Sequence, residues 1–230
     1  LMIPIKDTIR SKTFPVVTWL LVIANMLVFL FEISLSPSGL NSFFDQFALI
    51  PARLDWASPT TWYPLLTHMF LHGGWAHILG NMWFLILFGD NVEDRMGPER
   101  FLLFYLLGGM AAGIAQVLLS RDSSVPSLGA SGAIAAVLGA YILFFPAAKV
   151  ITLIPIFLFP WFVDIPAYIY LGIWFIIQLF SGFLSSNTTS AGGVAWWAHI
   201  GGFIFGLLFA RLFSSFRSKD RWYPDQFYPW

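Results

Sequence analysis

Six apolar stretches decide what this chain can fold into. They run roughly over residues 14–35, 75–89, 101–119, 128–145, 165–183 and 196–213. Each is long enough, or nearly so, to carry a helix across a bilayer, which takes about 20 predominantly apolar residues. A soluble core does not absorb so much apolar chain: hydrophobic residues make up 58% of the 230 and charged residues 10%, and the mean hydropathy is +0.75. In hydrocarbon a backbone satisfies its own polar groups, so each stretch is expected as a helix. The expected fold class is all-α, a six-transmembrane-helix bundle. The second stretch is short unless it continues toward Met96, and the first lacks a small-residue cleavage site, so it reads as a retained anchor.

A further apolar stretch, Val150 to Val163, carries Pro155 and Pro160 and is too short to span comfortably; it is expected as an interfacial or re-entrant segment. Charge distribution supports that count. With six spans one side receives Lys6, Arg10, Lys12, Arg95, Arg100, Lys149, Arg211, Arg217, Lys219 and Arg221, and the other only Arg53 and Arg121. The positive-inside rule then puts both termini in the cytoplasm of a cell membrane, plasma or bacterial inner. The expected organisation is a cytoplasmic N-terminal segment over 1–13, a membrane core over 14–213 and a cytoplasmic tail over 214–230. The 12 basic residues balance the 12 acidic ones, so nothing suggests nucleic acid, and the absence of cysteine excludes disulfides and a thiolate nucleophile.

This orientation places the starts of the second, fourth and sixth spans at the outer face. His77, Ser131 and His199 then lie near one depth, and all four histidines, with His68 and His72, fall on that side. Between the first two spans, residues 36–74 interleave Phe43, Phe47, Trp56 and Trp62 with polar residues and prolines, a pattern for short amphipathic pieces at the interface.

Residues four apart share a helix face. In the fourth span that row is Ser131, Ala135 and Gly139; in the sixth it is Ala198, Gly202, Gly206 and Ala210. Small-residue rows of this kind let helices approach closely, and packing them at matched depth brings His199 near Ser131. His77 and Asn81 are likewise four apart, an imidazole and an amide that can donate to an oxyanion. A lone intramembrane His, Asn or Ser is most often satisfied by a neighbouring helix; four of them at one depth is a different matter. No carboxylate has helical spacing to His199. A Ser131/His199 dyad, needing neither metal nor cofactor, is therefore the chemical expectation. Glu93, Asp94 and Arg95 read as an ion pair or loop cap, and Asp164 as an N-terminal cap.

Gly129-Ala130-Ser131-Gly132, Ala198-His199-Ile200-Gly201-Gly202, and His72, His77 and Asn81 around the second span together resemble the rhomboid family of intramembrane serine proteases. The resemblance implies a six-helix rhomboid-like bundle with a long first outer loop and an outward-opening hydrated cavity. Ser131 would attack the peptide bond and His199 would shuttle the proton. The Ser131 backbone N–H, His77 and Asn81 would stabilise the oxyanion, with His72 and Gly129 supporting the cavity. Substrates would be membrane-anchored proteins cut in or near a helix-destabilised transmembrane segment. Two positions depart from the family pattern: Ala135 stands where an aromatic often packs on the imidazole, and Trp62-Tyr63 where Trp-Arg is common. Two other functions compete, a catalytically silent relative that binds or escorts membrane proteins, and a metal or haem protein using the four histidines.

Overall fold

The computed structural model describes residues 2–156, 159–186 and 194–214. In chain order its helices are α1 (Val16–Ser34), α2 (Pro37–Phe47), α3 (Pro64–Thr67), α4 (Trp75–Met96), α5 (Pro98–Leu119), α6 (Ser131–Phe144), α7 (Ala167–Ser186) and α8 (Trp196–Phe213). The six apolar stretches are α1 and α4 to α8. Four of these are long and apolar enough to cross a membrane: α1, α5, α8 and, over Ala167–Leu184, α7. The helix α4 equals α5 in length but ends on Asp90, Glu93, Asp94 and Arg95.

The shortest of the six, α6, is the centre of the bundle. Every residue from Gly132 to Tyr141 is buried, because α6 packs on α4, α5 and α8. Small side chains permit this. A Cβ added at Gly202 would run into the Gly132 carbonyl, one at Gly206 into that of Ala136, and one at Gly139 into that of Phe203. The two helices therefore meet backbone to backbone, and the α6 residues at the contact are Gly132, Ala136 and Gly139, so the face is turned one position from the expected row Ser131, Ala135 and Gly139. Contact this close gains dispersion energy that lipid cannot supply.

The all-α expectation gives way at one place. The stretch expected as an interfacial or re-entrant segment falls in strands: β2 (Lys149–Ile156) and β3 (Phe159–Pro166) pair antiparallel, and β1 (Ile3–Asp7) pairs on the other side of β2. Val150, Ile151, Thr152, Ile154, Phe162 and Val163 are β-branched or aromatic residues that favour a pleated surface. Two prolines rule out a helix interior. They sit opposite one another, Pro155 against Pro160, so both missing donors fall in one pair near the hairpin tip. Asp164 lies in β3 opposite Ile151 and does not cap a helix. The following helix starts at Ala167, whose N–H donates to the Ala148 carbonyl at 2.7 Å.

Residues 3–7, expected to precede the core, are bound into it. The Trp83 indole donates to the Pro4 carbonyl at 2.7 Å, and Asp7 accepts from the Tyr141 hydroxyl at 2.6 Å and from Asn91 Nδ2 at 2.8 Å. Burial pushes the Asp7 carboxyl up to about 7. Nearby, Pro15 offers no side-chain cap to α1. Glu93 supplies it from α4, accepting from Val17 N at 2.9 Å, Thr18 N at 2.7 Å and Thr18 Oγ1 at 2.8 Å. Asp94 accepts from Thr13 Oγ1 at 2.6 Å. Of the tail expected over 214–230, residues 215–230 lie outside the described residues.

Candidate active site

The connection from α1 to α4 is a chain of short pieces: α2, turns of 3₁₀ helix at Pro51–Arg53 and Pro59–Thr61, α3, and a further turn at His68–Phe70. It is pinned to the segment before α6. Leu49 and Ser127 exchange backbone hydrogen bonds at 3.0 and 2.8 Å, and Gly129 N donates to the His68 carbonyl at 2.9 Å. His68 itself is buried, and its Nδ1 donates to the Pro64 carbonyl at 2.7 Å. Desolvation lowers its pKa to about 4, so it is neutral and structural.

Ser131 is the first residue of α6, so its backbone N–H has no acceptor within the helix. Its Oγ lies 2.7 Å from His199 Nε2. Both residues are half-buried. The far side of the imidazole is also held, by a residue absent from the sequence expectation: His199 Nδ1 is 2.7 Å from Oε1 of Gln178, on α7. The Gln178 Nε2 donates to the Trp174 carbonyl at 3.3 Å. The Trp174 ring lies over His199 at 5.9 Å between centroids and 35° between planes, and the Trp196 ring meets it edge-on at 6.1 Å. Packing that an aromatic at position 135 would give the imidazole thus comes from α7, while Ala135 lies against Gly202.

His77 and Asn81, one turn apart on α4, lie against Gly129 in the segment that leads into α6. Gly129, two residues before Ser131, has φ +121, and a Cβ there would stand 2.6 Å from His77 Nε2 and 3.4 Å from Asn81 Nδ2. Only glycine allows both that backbone and that proximity. Asn81 Nδ2 is 3.0 Å from His72 Nε2, and His72 Nδ1 is 3.4 Å from the Phe70 carbonyl. Burial and the neighbouring His77 lower the His72 pKa to about 4. A neutral His72 with its proton on Nδ1 accepts one Asn81 amide hydrogen and leaves the other free. The His72 backbone N–H in turn donates to both oxygens of Glu32, at 3.2 and 3.3 Å.

Ser131, His199, His77, Asn81, His72 and Gly129 are thus gathered at one end of the bundle, at the starts of α4, α6 and α8. Gln178 and Trp174 were not among the expected residues, and Glu32, one of the few carboxylates on that side, meets His72 rather than His199. Glu32 stands out as a carboxylate in an apolar helix, and Gln178 as the one strongly polar side chain of its stretch, but neither shares a helix face with His199. Both ring nitrogens of His199 are engaged, by Ser131 and Gln178, and among the described residues no three His, Cys, Asp or Glu converge to hold an ion.

Comparison with known proteins identifies the family of sequences to which this chain is similar. The sequence model of the Rhomboid domain matches residues 59–216. The chain is 46% identical over 79 residues to the rhomboid protease GluP of Bacillus subtilis, covering 34% of this chain and 15% of that one. It is 35% identical over 81 residues to the putative rhomboid protease YdcA of the same species, covering 35% and 40%. It is 31% identical over 163 residues to the mitochondrial rhomboid protein 1 of Saccharomyces cerevisiae, covering 66% and 42%. The chain thus spans less than half the length of each of these relatives.

Proposed function

Since the chain belongs to the rhomboid family, we propose that it is an intramembrane serine endopeptidase, with Ser131 as nucleophile and His199 as general base. The observation that carries this is the 2.7 Å hydrogen bond between Ser131 Oγ and His199 Nε2 at half-buried positions. Nucleophile and base within hydrogen-bond reach, with the base oriented by a third group, is the arrangement that activates a hydroxyl.

Ser131 Oγ gives its proton to His199 Nε2 as it attacks the scissile carbonyl carbon. The carbonyl oxygen takes on negative charge and is met by the Ser131 backbone N–H, the free amide hydrogen of Asn81, and His77. His199 then passes the proton to the departing amine, which breaks the peptide bond and leaves the acyl group on Ser131. A water then attacks the acyl carbon, giving a proton to the same Nε2, and Nε2 passes that proton to Ser131 Oγ as the ester bond breaks and the acid product leaves. His72 keeps the Asn81 nitrogen turned toward Gly129, and Glu32 holds the backbone of His72.

The substrates are membrane-anchored proteins, cut in or near a transmembrane segment. The helices α1 and α4 to α8 are all spans in this proposal, with the termini cytoplasmic and the serine facing outward, as the distribution of Lys and Arg favours. Among similar proteins of Arabidopsis thaliana two are chloroplastic and one is mitochondrial by name, so the choice of membrane rests on the charge argument alone. The test is cleavage of a transmembrane substrate by the purified protein in liposomes. Activity in the wild type and none in Ser131→Ala is expected; equal cleavage by Ser131→Ala removes the assignment.

A further inference from the structure

We propose that Gln178 is a positioning residue for His199, holding the imidazole in the one tautomer that can act as a base toward Ser131. This rests on the assignment of Ser131 and His199 as nucleophile and base. A neutral imidazole carries one ring hydrogen, and the nitrogen that bears it is set by the partner of the other. With the hydrogen on Nε2, the ring would donate toward Ser131 Oγ and could not take its proton. With the hydrogen on Nδ1, Nε2 is a lone pair aimed at the hydroxyl 2.7 Å away.

An amide side chain presents a donor at one end and an acceptor at the other, so its orientation decides the matter. Trp174 fixes it. Its backbone carbonyl can only accept, and it lies 3.3 Å from the Gln178 nitrogen. The Gln178 oxygen must then face His199 Nδ1, 2.7 Å away, and accept its hydrogen. Gln178 is 5% exposed, so water does not compete for either bond. The same hydrogen bond strengthens when the ring becomes cationic during proton transfer, because bonds to charged groups are the stronger ones. In a Ser/His/Asp triad a buried carboxylate does this work. An amide does it without burying a charge on α7, whose Ile173, Ile176, Ile177 and Phe180 are exposed, as a lipid-facing side would be.

The experiment compares Gln178→Met, which keeps the length of the side chain and removes the acceptor, with Gln178→Glu, which keeps an acceptor. Expected for Gln178→Met is a fall in kcat of roughly 10- to 100-fold with KM little changed, the range for a lost hydrogen bond to a group that becomes charged. Gln178→Glu should recover most of kcat, with the acidic limb of its kcat/KM profile moved to higher pH, because a carboxylate facing Nδ1 favours the protonated ring. Nitrogen-15 spectra of histidine-labelled protein supply a readout that does not need activity. The chain has four histidines, and the His199 signals are those lost in His199→Gln. Wild type should show the hydrogen on Nδ1, and Gln178→Met a mixture or the reverse. An unchanged tautomer together with unchanged kcat in Gln178→Met overturns the proposal. Should that variant fail to fold, an unmoved pH profile in Gln178→Glu overturns it. Cleavage that survives Ser131→Ala would defeat the protease assignment, and the spectra would still decide the role of Gln178.

Discussion

Replacing Gly129 by alanine should impair the chemistry while leaving the helices in place. Two costs follow from the structure. At φ +121 an L side chain is strained, typically by about 1–3 kcal/mol. The added Cβ would also stand 2.6 Å from His77 Nε2, where ordinary contact begins near 3.4 Å. His77 must yield by several tenths of an ångström, or the Gly129 backbone must move and carry Ser131 with it. Misplacement on the order of 1 Å in a reacting site costs about 10²-fold, and loss of one oxyanion donor costs about 10²- to 10³-fold. The expectation is therefore a fall in kcat of about 10²-fold, with KM little affected because the ground-state contacts remain. Cleavage of a transmembrane substrate in liposomes, with kcat and KM measured separately, reads this out. Gly97→Ala separates strain from collision. Its φ is +84, but a Cβ there meets nothing within 4 Å, and it lies between α4 and α5 at the opposite end from Ser131. That variant should melt at a lower temperature and cleave with unchanged kcat. A folded Gly129→Ala protein with wild-type kcat would refute the placement of His77 and Asn81 at the oxyanion.

Ser131→Ala and His199→Ala should each reduce cleavage to background, and the double variant should be no worse than either, since the pair acts as one unit; additive losses in single-turnover kinetics would count against a shared step. Glu93→Ala leaves Val17 N, Thr18 N and Thr18 Oγ1 without their acceptor in a buried place. It should destabilise the protein by roughly 2–3 kcal/mol without changing kcat, as thermal unfolding and turnover together would show. Asp7, with its pKa raised by burial from 3.8 to about 7, binds a proton in the folded state that the unfolded chain has already lost. Its contribution to stability is therefore full below about pH 4 and disappears as the pH rises through 7. Asp7→Asn should flatten the decline in melting temperature between pH 5 and 8, a decline that persists undiminished in the variant if Asp7 is ionised throughout.

The helices and the residues at their heads were legible in the amino-acid sequence for local reasons. Apolar runs of bilayer length admit only helices, so α1, α5, α7 and α8 follow from composition along the chain. The second stretch left open whether the helix stops at Gly89 or continues, and α4 runs on to Met96. The glycine and alanine rows of α6 and α8 announce a close contact, and Ser131 and His199 head those two helices. Pairing was not legible. The apolar run 150–163 has no period-two alternation to mark it as strands, since nearly every residue is apolar, and its partner β1 lies more than 140 positions earlier. Only packing reveals that the two prolines face each other.

The same limit governs the polar groups around the site. Helical spacing relates residues on one helix, and it places His77 with Asn81. It cannot relate residues on different helices, whose rotation and depth are set by how the whole bundle packs. Gln178 reaches His199 from α7, Glu32 reaches His72 from α1, and Glu93 caps α1 from α4. By itself the sequence determined which stretches are apolar enough for membrane-length helices and which polar side chains stand near their ends. The tertiary structure decided which of them satisfy one another, because a buried polar group takes whichever partner the packing brings within 3 Å.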